Sequence, residues 1–163
     1  MTRIRTIAAT VTLGAAAAFF VAGPYMVYRG LDARDQVATH LKAEHIVTPE
    51  DASKPNVAVV DGPTAMVQAD IIQKHALEST KGKAYAQMDR EDPARQTAFN
   101  AAALRGALMS SALAWEVANL VIGLGVLVFG LGVILLAVGL VIRKPEETVL
   151  MAPAPERAKA YQS

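Results

Sequence analysis

Hydrophobic and polar positions divide this chain into four stretches of different rhythm. From Leu120 to Ile142 there are 23 consecutive residues without a polar side chain, closed by Arg143 and Lys144. A run of about 20 apolar residues crosses the ~30 Å hydrocarbon core of a bilayer as a helix, the conformation that satisfies its own backbone there. A second uncharged stretch of equal length, Thr6 to Tyr28, lies between Arg5 and Arg29. Between the two, apolar residues become sparse and periodic. The tail, Pro145 to Ser163, holds three prolines, scattered alanines and mixed charge, and reads as disordered.

Within the middle stretch, Val37, Leu41 and His45 recur at helical spacing, so Leu31 to about His45 reads as a helix that can continue from the first apolar run. Thr48-Pro49 stops it, because a residue before proline is pushed out of the α region. Asp51 to Pro55 is a linker. Asn56 to Val60 is β-prone but has no evident partner strand. Asp61-Gly62-Pro63 is a helix start, followed by a helix over Thr64 to Thr80 with Ala65, Ala69, Ile72 and Ala76 on one face and Met66 and Leu77 beside them. Gly82 supplies the stop. A second start stands at Asp92-Pro93, and no proline follows until Pro145. A helix over those ~50 residues is about 75 Å long, so part of it projects beyond a bilayer unless Gly106 breaks it.

These stretches predict an all-α membrane protein, two transmembrane helices joined by a largely helical extracytoplasmic segment. The expected boundaries are residues 1–5 (cytoplasmic), 6–28 (first span), 29–116 (outer helical segment), 117–142 (second span) and 143–163 (cytoplasmic tail). The 53% hydrophobic content suits two spans. The first apolar run is longer than a usual signal-peptide core. Pro24 would also follow the candidate Ala22-Gly23 cleavage site directly, so the run reads as a retained signal anchor. Arg3 and Arg5 before the first span, with Arg143 and Lys144 after the second, place both termini in the cytoplasm. A net charge of +1 gives no field for nucleic acid. With no cysteine, disulfides, zinc-thiolate sites and thiol catalysis are excluded together.

The second span repeats small residues every seven positions: Ser111, Ala118, Gly125, Gly132 and Gly139. Such a repeat keeps one face toward a partner helix and lets backbones approach, and Gly123 and Gly130 are expected to widen the groove. Gly14, Ala18 and Ala22 form a small-residue series on the first span as its counterpart. The partner is either the other span or a second membrane chain. Trp115 and Glu116 fall at the membrane–water interface, because ~20 residues counted back from Ile142 end near Gly123.

Candidate chemistry is thin. A two-histidine, one-carboxylate iron site needs open facial geometry, yet His40 and His45 sit about 140° apart around a helix, and no H-E-x-x-H is present. No cofactor or metal is expected. Charge concentrates between Lys81 and Arg95, with Tyr85 and Met88 interleaved, which suits a protein contact surface. His75, Tyr85, Asp89, Arg95 and Asn100 are the candidate contact residues.

The blocks Val60-Asp61-Gly62-Pro63, Ile71 to Glu78 (IIQKHALE), Gly82 to Arg95 (GKAYAQMDREDPAR) and Thr97 to Ala101 (TAFNA) carry a family resemblance. Over roughly residues 60 to 120 the chain resembles a group of small actinobacterial membrane proteins with one span at each end, which often bear the label "aromatic ring-opening dioxygenase". The resemblance implies the two-span layout but no established activity. Ring-opening chemistry of the extradiol type needs an iron triad in a closed pocket, and scattered histidines in a segment of this size do not supply one.

The expected function is therefore non-enzymatic: an accessory, assembly or stabilising subunit of a larger membrane or envelope complex, whose partners are the lipid bilayer and other membrane subunits or further copies of itself. Two other classes stay open, an extracytoplasmic ligand- or metal-binding sensor and a self-associating pore or transport element. A pore needs inward polar groups, which Leu120 to Ile142 does not offer.

Overall fold

The computed structural model describes residues 2–143. Its order is α1 (Thr2–Ala43), α2 (Gly62–Ser79), a 3-10 turn (Tyr85–Gln87) and α3 (Arg95–Arg143). No strand occurs among the described residues. At 42 and 49 residues, α1 and α3 are about 63 and 73 Å long. Both are long and apolar enough to cross a membrane. Each is unbroken. α1 runs from the first apolar stretch straight into the polar segment, and α3 passes Gly106 without interruption.

α1 and α3 lie antiparallel along their length. At one end Arg5 Nε donates to the Ile142 carbonyl at 2.8 Å. Near the other, the Arg34 guanidinium stacks 4.4 Å from the centre of the Trp115 ring. Pro24 sits inside α1 and removes one backbone donor, which long membrane-type helices tolerate. One turn before it, the Phe20 ring meets Phe129 edge-on with centroids 4.9 Å apart.

α2 is a cap laid against the N-terminal half of α3. Its start is fixed by a capping box: Asp61 Oδ1 accepts from the Thr64 amide at 2.8 Å, and the Thr64 hydroxyl accepts from the Asp61 amide at 3.1 Å. The helix accordingly begins at Gly62, two residues before the expected start, with Pro63 in its first turn. Its end is a Schellman motif in which Lys81, not a glycine, takes the left-handed position (φ 53°). Gly82 follows at φ 84° and donates back to the Leu77 carbonyl at 2.7 Å. Leu41, Val59, Ala65, Ala69, Leu108 and Ala112 form the buried core where α1, α2 and α3 meet.

The loop between α1 and α2 is more ordered than its composition suggests. Val47 and Ala58 pair as an isolated antiparallel bridge, so the β-prone piece finds a partner in the residues just after α1. Thr48 is almost fully buried. Its hydroxyl donates to the Lys54 carbonyl at 2.5 Å and accepts from the Val57 amide at 2.9 Å, which cinches the loop across its base. The disorder expected for Pro145 to Ser163 lies outside the described residues.

Candidate partner-binding surface

The two long helices approach each other closely along a seam of small residues. On α3 it uses Ala118, Gly125, Gly132 and Gly139, all buried. A Cβ placed on Gly125 would lie 2.7 Å from the Gly23 carbonyl oxygen, and one on Gly23 would lie 2.8 Å from the Gly125 oxygen. Likewise Gly30 approaches the Ala118 carbonyl, Gly132 packs against Phe19 and Phe20, and Gly139 against Leu13. Backbones in such contact gain dispersion energy that larger side chains would forfeit.

The α1 side of the seam is Ala9, Ala16, Gly23 and Gly30, all buried and spaced by seven. The small residues expected there behave differently. Gly14 has nothing near its Cβ position, Ala18 is exposed and Ala22 only partly buried. Gly123 and Gly130 also face open space and do not widen the groove. They lie two positions from the seam residues, about 160° around the helix, so they mark the opposite face of α3.

Trp115 is the junction of all three helices. Arg34 of α1 covers its ring, and Gly62 at the start of α2 sits so close that a Cβ there would lie 2.8 Å from the Trp115 side chain. A side chain at 62 would push α2 off, which explains the glycine between a cap residue and a proline. Glu116 next to it is exposed and accepts from Asn119 at 3.5 Å.

The five candidate contact residues do not form one patch. His75 belongs to the loop clamp: its Nε2 lies 2.9 Å from Asp51 Oδ2, and Lys74 Nζ lies 2.8 Å from the same oxygen. The Lys74 hydrogen bond, then that of His75, lowers the Asp51 carboxyl from 3.8 to about 2, and Asp51 in turn raises Lys74. Tyr85 and Arg95 do meet. The Arg95 guanidinium lies 4.4 Å from the Tyr85 ring centre and also donates to the Met88 carbonyl, while Tyr85 touches Phe99 at 5.5 Å. This set fastens the turn to the start of α3. Asp89 and Asn100 are exposed, and Asn100 accepts from Gln96 at 3.0 Å.

The chain matches no family model, no curated protein and no solved structure.

No group of three or more His, Cys, Asp or Glu among the described residues could hold a metal ion. What the surface does offer is uncovered apolar area. Leu113 is 66% exposed, and Phe99, Leu104 and Met109 are exposed too, all on the part of α3 that precedes the long apolar run. Sequence reasoning passed over these residues, which lie on more than one face of α3, because each also fits a helix–helix core.

Proposed function

We propose that this chain crosses the membrane twice, with its helical cap outside the cytoplasm, and serves as a non-enzymatic accessory, assembly or stabilising subunit of a larger membrane or envelope complex. The observation that carries the membrane reading is burial. Within the most apolar windows of α1 and α3, 17% and 11% of residues are buried. The core helix of a water-soluble protein would hide most of such a window, whereas lipid is a solvent that accepts it. The orientation rests on Arg3, Arg5 and Arg143 gathering at one end of the antiparallel pair, with Lys144 next in the sequence. The subunit role rests on Phe99 and Leu104, large apolar residues exposed on the part of α3 that precedes Glu116 and the long apolar run, where lipid would not cover them. The resemblance to two-span actinobacterial membrane proteins agrees with this layout and adds no activity.

Two measurements test the proposal. An impermeant thiol reagent on intact cells should modify Lys83→Cys and spare Ala154→Cys until lysis; the reverse pattern inverts the topology. Affinity purification of the full chain in mild detergent should bring down a different membrane or envelope protein in fixed ratio. A chain that purifies alone, or only with itself, ends the accessory reading.

A further inference from the structure

The open side of α3 carries two grooves separated by one ridge. One, of about 520 Å³, lies toward α2 and is walled by Gly62, Pro63 and Met66, with Glu116 at its edge. The other, of about 460 Å³, lies toward α1 and is walled by Gly30 and Ala33, with Arg29 at its edge. Ser110 and Leu113 line both, so Leu113 is the knob between them. A face that bears a knob beside a hollow fits its own two-fold copy, because each knob enters the other's hollow.

The charges at the two edges obey the same symmetry. Glu116 is exposed, and the Arg29 side chain is 58% exposed and pairs within its own helix with Asp32 at 3.6 Å. The contact of Gly30 with Ala118 sets Arg29 about one helical turn from the level of Glu116, within reach of an arginine stem. Rotation by half a turn about an axis parallel to α3 lays the Glu116 edge of one copy on the Arg29 edge of the other. Two copies that cross one bilayer in the same direction present this face at the same depth. A soluble partner has no such constraint in its favour.

We infer that the chain forms a parallel two-fold homodimer through this face, with Leu113 beside the axis and Glu116 facing Arg29 of the second copy. The inference rests on the two-span reading but not on the accessory role, and the Lys83→Cys labelling experiment tests that reading separately. Because the native chain has no cysteine, a single introduced thiol reports one position. In native membranes under mild oxidation, full-length Leu113→Cys should give a disulfide-linked species of twice the chain mass. Leu104→Cys, nine residues away and half a turn out of phase, should give at least tenfold less. Glu116→Arg and Arg29→Glu should each abolish the dimer seen by native mass spectrometry in detergent, and the double reversal should restore it. Equal crosslinking at 113 and 104, an adduct of Leu113→Cys with a different protein, or a double reversal that stays monomeric would overturn the inference.

Discussion

Adding one methyl group at Gly125 is the sharpest probe of the seam. The new carbon would sit 2.7 Å from the Gly23 oxygen and 2.9 Å from the Val27 amide nitrogen, where ordinary contact begins at 3.4 Å. The shortfall is about 0.7 Å, and the atoms met include backbone, so no rotamer change relieves it. The helices must part. A gap of 0.5–1 Å forfeits roughly a quarter to a half of each dispersion contact along the seam. We expect Gly125→Ala to destabilise the closed hairpin by about 1–3 kcal/mol, roughly a fivefold to 150-fold change in its equilibrium with the opened form. Gly23→Ala should cost the same. The double variant should cost less than twice as much, because one separation relieves both clashes. Gly123→Ala is the control: its Cβ meets nothing, so it should be neutral or slightly stabilising. The assay is SDS titration of the full chain in mild micelles, followed through Trp115, the sole tryptophan. Equal midpoints for Gly125→Ala and Gly123→Ala would refute the reasoning.

Two further outcomes follow from the cap. The Asp51 carboxyl is lowered to about 2, so its link to Lys74 and His75 stabilises the folded state above 3.8 and is lost as pH falls from there toward 2. Lys74 is raised, so its share is intact below 10.5 and is lost as pH climbs through the folded value. Asp51→Asn should therefore flatten the acid limb and the alkaline limb of a melting-temperature profile, with a smaller difference in high salt because the groups are exposed; superimposable limbs would disprove the clamp. Arg34→Ala should red-shift Trp115 emission and lower stability by about 1 kcal/mol, with Arg34→Lys intermediate; an unchanged spectrum would mean the stacking is absent in solution.

The two long helices were legible in the sequence because 23-residue apolar runs leave few other options. The α3 side of the seam was legible too, since glycine is scarce enough for a period of seven to stand out. Its α1 counterpart was not. Ala8, Ala9 and Ala15 to Ala18 satisfy several periods at once, and only the positions that meet Gly125 and Gly132 decide among them. The start of α2 was announced by Asp61-Gly62-Pro63, because capping is local. The Asp51 clamp joins residues 23 and 24 positions apart through a loop whose path depends on Thr48, and no local pattern announces such a contact. For the same reason His75, Tyr85 and Arg95 were recognisable as special while their separate assignments were not.

Continuity through residue 106 makes α3 a beam without a joint. A rod about 73 Å long that pivots by about 5° moves its far end by about 6 Å. A force applied to α3 at Leu113 would thereby reorient Arg143, and a push at Arg143 would tilt Trp115 and the helix docked upon it.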